Sequence, residues 1–368
     1  MKKLISTALA CIMVLSLFVT GCGSVNNDAA LITMTASGDA DVSANATLSY
    51  GVANFYTQST QVYYDAIYGA YYGSSFWSMS TGTDASGNAT STMADSLKEN
   101  LLESLEAMMV LKAYAPQYGV SLSDEDETKI SEAAAEFISE NSDKANKAMG
   151  ATQEIVEEYL RLMTYQTRMQ EAIYAQADVS IDEADAAART FTYAKIPLTS
   201  TDASGNATTI TGDELTEYEN SAQAIVDSST ESGDFEDELT GAGLTAQTYS
   251  YTRNDTGMDS SVLEAADALS EGEITMVEVE GDAIYLIRLD SAYDEAATQS
   301  NIESLTEQAQ QNYYYEVVDE LMAKMKFEVN EKLWEKVSFD VMYTTVSDES
   351  ADASGDSSSS DAASSDTE

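Results

Sequence analysis

The feature that most constrains this chain is a change of periodicity at its centre. From about residue 46 to 188 apolar residues recur at three- and four-residue spacing; from 189 to 292 the pattern turns to short strand-like runs bounded by polar turns; from 293 to 346 helical spacing returns. A chain patterned this way holds helical segments on either side of a small strand-containing unit, so the predicted class is α+β. Its 368 residues exceed one ordinary core, and 43% hydrophobic residues suffice for more than one.

The first helical segment is unusually aromatic. In "ATLSYGVANFYTQSTQVYYDAIYGAYYGSSFW", Tyr63, Ile67 and Tyr71 fall four apart, with Tyr64, Tyr68 and Tyr72 beside them. The first reading of such a stripe is core packing. The alternative is a contact surface, because a tyrosine ring is apolar while its hydroxyl tolerates water. "MADSLKENLLESLEAMMVLKAYAPQYGV" places Leu97, Leu101, Leu105 and Met108 on one face, and Pro116 and Gly119 stop it. Ser123 is the expected N-cap of "LSDEDETKISEAAAEFI", whose acidic first turn suits the helix dipole. "TQEIVEEYLRLMTYQTRMQEAIYAQA" lines up Ile155, Tyr159, Leu162, Met169 and Ile173, and Ser180 with Glu183 has the spacing of a capping box for a further short helix.

The inserted part opens with the strand-like "RTFTYAKIPLTS". A polar turn then leads to a helix capped near Thr211 or Asp213 and carrying Tyr218, Ala222, Ile225 and Val226. "SGDFEDEL", "TYSYTRND" and the helical "SSVLEAADAL" follow. In "LSEGEITMVEVEGDAIYLIRL" a helix end, a Gly turn, a strand, a tight Glu-Gly-Asp turn and a buried strand succeed one another. A mixed or antiparallel sheet is expected.

The order "FTYAKIPL", "GDFEDEL", "VLEAADALSEGEITMVEVEGDAIYLIRL" resembles the parvulin-type prolyl isomerase domain. The flanking "LKAYAPQYGVSLSDEDE" and "YLRLMTYQTRMQEAI" are similar to the chaperone module of exported foldases of the PrsA and SurA kind, where an isomerase domain is inserted ahead of a returning helix. "SNIESLTEQAQQNYYYEVVDELMAKM" supplies that return, and the likeness covers roughly residues 46 to 342. Parvulins usually place a histidine in the first strand and another in the last. Lys195 and Tyr285 stand there, so the resemblance implies a catalytically degenerate site and no catalytic residue is assigned.

The N-terminus has its own signature. Lys2 and Lys3 precede the apolar "LISTALACIMVLSLFV", and then comes "VTGC", ending at Cys22. A charged start, a short apolar run and small residues describe a secretory signal. The Gly-Cys ending resembles the lipobox of bacterial lipoproteins, which implies a lipidated Cys22, and two acyl chains hold a protein stably on a bilayer where one does not. The expected division is therefore a signal peptide over 1–21, a lipid-anchored flexible linker over 22–45, a helical chaperone module over 46–188, a parvulin-like domain over 189–292, a returning C-terminal helix over 293–346, and a disordered acidic tail over 347–368.

Composition removes whole classes of chemistry. With no histidine, and cysteine only at 11 and 22, there is no histidine-based triad, no histidine-ligated metal and no disulfide in the exported part. "SLSDEDE" and "DFEDEL" lack the alternating oxygen ligands and turn glycine of a calcium loop, so no metal and no cofactor is expected. A balance of 17 basic against 64 acidic residues, net −47, argues against nucleic acid as a partner. The octapeptide "TDASGNAT" occurs at Thr83 to Thr90 and again at Thr201 to Thr208, which reads as two polar surface turns.

The expected function is a membrane-anchored extracytoplasmic folding chaperone for unfolded or newly secreted polypeptides. Client-contact candidates are Tyr64, Tyr68, Tyr72 and Tyr251. The alternative is an active peptidyl-prolyl isomerase with a non-standard pocket; a ligand-binding or adhesive surface lipoprotein comes third.

Overall fold

The computed structural model describes residues 25–343 apart from 39, 41, 43, 44, 85, 86 and 202–206. The signal peptide, Cys22 and the acidic tail lie outside the described residues. The chain divides into two compact units, one built from the chain up to Gln176 and from Tyr313 onward, the other from Ala177–Asn312.

The first unit begins with β1 (Ala30–Ala36) and β2 (Asn45–Ser49), which pair antiparallel. This corrects the flexible linker expected over 22–45. The run "ALITMTA" buries Leu31, Ile32 and Met34 almost completely, and the strand's second partner is a strand near the C-terminal end of the described residues, Met325–Val329. Ser49 caps the 23-residue α1 (Tyr50–Tyr72), accepting from the Val52 amide. A 3-10 turn (Gly73–Ser78) and a small hairpin, β3 (Ser80–Thr83) with β4 (Ala89–Thr92), lead to α2 (Met93–Tyr114). Capping boxes start α2, with Thr92 and Asp95, and α3 (Asp124–Glu140), with Ser123 and Asp126. The short α4 (Asp143–Met149) precedes α5 (Gln153–Tyr174). Leu101, Leu105 and Met108 of α2 and Ile155, Leu162, Met169 and Ile173 of α5 are buried where their spacing places them, and Leu97 is half-buried.

In the second unit, α6 (Glu183–Ala186) is capped by Asp182 instead of Ser180, because the Asp182 carboxylate already holds the Ala184 amide at 3.0 Å. The strand β5 (Arg189–Pro197) runs into the hairpin β6 (Thr199–Thr201) and β7 (Ala207–Thr209). The described residues of both octapeptide copies thus lie in or beside the paired strands of a hairpin. Next come α7 (Asp213–Ser232) and α8 (Phe235–Gly241). The cap of α7 is Gly212, at φ 67°, where no side-chain oxygen is present. Then follow β8 (Gln247–Tyr251), α9 (Ser260–Asp267), β9 (Ile274–Val279) and β10 (Ala283–Ser291).

The sheet has the order β8-β5-β10-β9 and is antiparallel throughout. Side-chain alternation sends Ala194, Ile284 and Leu286 to one face, against Ala222, Val226, Phe235 and Leu239 of α7 and α8. Phe191, Tyr193, Tyr285 and Ile287 go to the other face, against Val262 and Ala266 of α9. Gly281, at φ 76°, makes the tight turn between β9 and β10 that a side chain would strain.

The 29-residue α10 (Glu295–Ala323) contributes its first part to this unit and the rest to the first. The inserted unit is wider than the expected 189–292 because both flanks are tied to it: Asn301 donates to the Ala186 carbonyl, the Ala188 amide donates to Thr298 Oγ1, and Thr190 Oγ1 donates to Asp294. The first unit closes with β11 (Met325–Val329) beside β1 and the short α11 (Glu331–Trp334). Its core joins Leu31, Phe55, Leu111, Phe137, Val156 and Leu321.

Candidate functional site

On the face of the inserted sheet that packs against α9, Lys195 and Tyr285 are direct cross-strand partners. Both therefore project to the face that carries Phe191 and Tyr193. The Tyr285 hydroxyl donates to Asp282 Oδ2 at 2.7 Å, and the Lys195 ammonium lies 4.7 Å from the Tyr285 ring centre and 3.9 Å from the same carboxylate. Tyr193 stacks on Tyr285 at 6.1 Å. The lysine side chain remains 43% exposed, so it avoids the full desolvation that a dry pocket would impose. Its bond with the Tyr285 hydroxyl does most to hold the ammonium above its ordinary value, against a smaller loss of hydration. Burial pushes the Tyr285 hydroxyl up in turn.

The other hydroxyls on this face are also committed. Tyr193 donates to Gln247 Oε1, and Tyr249 donates to Asp255 Oδ1 at 2.8 Å. Burial, reinforced by Asp255, pushes the Tyr249 hydroxyl up to about 12. Catalysis of X-Pro rotation requires a group that favours the twisted amide over both planar forms. Here three tyrosine protons already have acceptors, and the cation covers one ring face.

Tyr251 does not belong to an accessible surface. It is 3% exposed in the sheet core, with its hydroxyl donating to Asp267 at 2.7 Å. A residue packed against Phe191 and α9 contacts no client while the unit is folded.

The tyrosines of α1 behave in the opposite way. Up to Val62 the helix buries much of its circumference; beyond it only Asp65 and Gly69 are buried. Tyr63 is 64% and Tyr71 84% exposed, and Ile67, Tyr68, Tyr72 and Met79 are exposed beside them. The core-packing expectation for Tyr63, Ile67 and Tyr71 is thus overturned: among the described residues, nothing buries these three side chains. Tyr64 and Tyr68 stack at 6.1 Å, Tyr68 lies 4.8 Å from Phe76, and Tyr72 lies 6.3 Å from Phe76. Three of the four sequence candidates therefore come together on one aromatic ledge, and the fourth does not.

One set of residues escaped the sequence reading. Gln58, Gln61, Asp65 and Gly69 form a buried stripe at helical spacing along α1, beside the tyrosines. Trp77 Nε1 donates to Asp65 Oδ1 at 2.9 Å. Burial raises the Asp65 carboxyl above its usual range, although hydrogen bonds from the Tyr343 amide, Trp77 and Gln61 pull it back. Polar residues at three- and four-residue spacing inside an otherwise aromatic helix were the available signal.

No family model matches the chain, and no curated protein matches it. Among solved structures, it is similar to the foldase protein PrsA from Lactococcus lactis, 13% identical, over 84% of this chain and 99% of that one, with a TM-score of 0.33. The peptidylprolyl isomerase PrsA from Bacillus cereus is 18% identical over 71% of this chain and 97% of its own, at 0.28. A SurA-like chaperone of Campylobacter jejuni is 11% identical over 63% and 88%, at 0.24.

Proposed function

We propose that the chain is a folding chaperone of the holding kind, which contacts unfolded polypeptide through the aromatic ledge at the end of α1. The observation that carries this reading is the exposure of Tyr63, Ile67, Tyr68, Tyr71 and Tyr72 on one half-helix of a strongly acidic chain. Contiguous exposed apolar surface marks interaction sites. Tyrosine provides rigid area with a wet edge, which suits contact with many sequences.

The inserted unit serves this function as a scaffold with a degenerate isomerase site, because the Lys195–Tyr285–Asp282 cluster satisfies itself. The protein acts outside the cytoplasm, tethered through lipidated Cys22, and its clients are newly exported chains.

The test pairs two assays with the soluble chain from Gly23 onward. Aggregation of a proline-free client should be suppressed. Joint replacement of Tyr63 and Tyr71 by Ser should weaken client binding by about tenfold while shifting stability by no more than about 0.5 kcal/mol, as expected for exposed positions. Unchanged protection by that variant would sink the ledge as the contact surface. Refolding limited by proline isomerisation should not accelerate; acceleration abolished by Tyr285→Phe would return the function to the sheet site. Cys22→Ala should move the protein out of the membrane fraction, and its retention there would refute the anchor.

A further inference from the structure

The C-terminal segment Val337–Tyr343 is held on α1 in an unusual way. It forms no strand ladder. Instead, side chains bind its main chain: Gln58 Nε2 donates to the Ser338 carbonyl at 3.0 Å, Gln61 Nε2 donates to the Val341 carbonyl, and the Tyr343 amide donates to Asp65 Oδ2 at 2.9 Å. Lys98 Nζ donates to the Val337 carbonyl at 2.9 Å from α2. The contacts advance together along the helix, from 58 with 338 to 65 with 343, so the segment runs parallel to α1. Main-chain groups are common to every polypeptide, and a cleft that binds them through side chains does not depend on the sequence it holds.

Side-chain seats complete the cleft. Phe339 stacks on Trp77 with ring centres 4.4 Å apart. Met342 lies against Gly69, where an added Cβ would meet its Cε at 2.7 Å, so the glycine is a notch for that side chain. Tyr343 is buried and donates to Gln58 Oε1 at 2.6 Å. The fit is incomplete in one place: Gln61 Oε1 is buried with no hydrogen-bond partner. A buried acceptor left unsatisfied costs free energy that a different segment, bringing an N–H there, would recover.

We propose that this cleft is a binding site for extended polypeptide and that Val337–Tyr343 is its resident occupant. A client segment with large apolar residues spaced as Phe339, Met342 and Tyr343 are exchanges with it, seating one aromatic side chain on Trp77. The proposal rests on the holding function above and gives it a defined site next to the aromatic ledge. In the resting molecule the chain occupies its own cleft, which keeps Trp77 and the polar stripe from binding at random.

The experiment uses the full chain with a specific protease site inserted in the exposed turn between Glu335 and Lys336. After cleavage, a fluorescent peptide copying Lys336–Thr345 is added. It should replace the cleaved fragment, giving bound anisotropy at least about tenfold more readily than with uncut protein. An unrelated extended peptide with large apolar residues at the spacing of Phe339, Met342 and Tyr343 should compete. In uncut protein, Phe339→Ala should raise peptide affinity by weakening the resident competitor.

A fragment that stays bound without exchanging over a day, or a cut protein that loses its near-ultraviolet signal, would show that the segment is permanent core and would overturn the proposal. So would a Phe339→Ala chain that takes up no more peptide than the parent. Aggregation assays report separately: protection without exchange rejects the cleft and leaves the ledge, whereas loss of both rejects the holding function itself.

Discussion

Asp65 shows how much one side chain organises. It accepts from Trp77, from Gln61 at 3.2 Å and from the main chain of Tyr343, so its removal strands three buried donors. Asp65→Ala should cost about 1–3 kcal/mol for each donor that finds no water, read as a lowered urea midpoint with early loss of the Trp77 near-ultraviolet signal. A small change would mean that solvent reaches the stripe. Lys195 illustrates the limit of sequence reading at this scale. That Lys195 and Tyr285 stand in the first and last strands was legible from the strand pattern, but their cross-strand register, the partner Asp282 and the exposure of the lysine depend on the tight turn at Gly281, which periodicity does not describe. Tyr251 was misjudged for a related reason: "TYSYTRND" alternates polar and aromatic residues in a way that does not reveal which face α9 covers.

At the scale of the element, the most legible stretch was Leu269 to Leu289, where two glycines at positive φ and β-forming runs mark each boundary. The least legible was β1, whose partners β2 and β11 lie far apart in the chain and whose apolar run sits among Ser, Asn and Asp. The α1 stripe was seen, but spacing gives a face and not its neighbour.

Helix α3 supports a pH prediction. The Ser123 hydroxyl and Arg168 hold the Asp126 carboxyl well below the usual carboxylate range, with Arg168 Nη2 at 2.5 Å. A depressed folded value means stabilisation that is present above the unfolded pKa, about 3.9, and is lost as pH falls through the folded one. Asp126→Asn should therefore be less stable than the parent at neutral pH, with the gap in urea midpoint closing in strong acid. A gap that does not change with pH would assign the effect to packing.

For the whole molecule, charge sets how clients arrive. With a net charge of −47, association with a basic unfolded client should be fast at low salt. Screening shortens from about 10 Å at about 0.1 M to about 3 Å at about 1 M salt, so the on-rate should fall by about tenfold or more across that range, while an acidic client gains. Stopped-flow anisotropy with both clients checks the opposite signs.

The insertion has a consequence of another kind. In the first unit, the rings of Tyr174 and Tyr314, which flank the inserted segment, lie 6.1 Å apart. Within the inserted unit, the Asp294 amide donates to the Ala188 carbonyl at 2.8 Å. The first unit therefore brings the ends it leaves at the insertion together within itself. Joining Gln176 to Tyr313 through a few Gly and Ser residues should leave a folded, client-holding remainder. A cassette that can be cut out and closed over in this way is one that recombination can delete, replace or transplant in a single step, so the inserted unit is free to lose or regain its chemistry while the host goes on selecting only for its own fold.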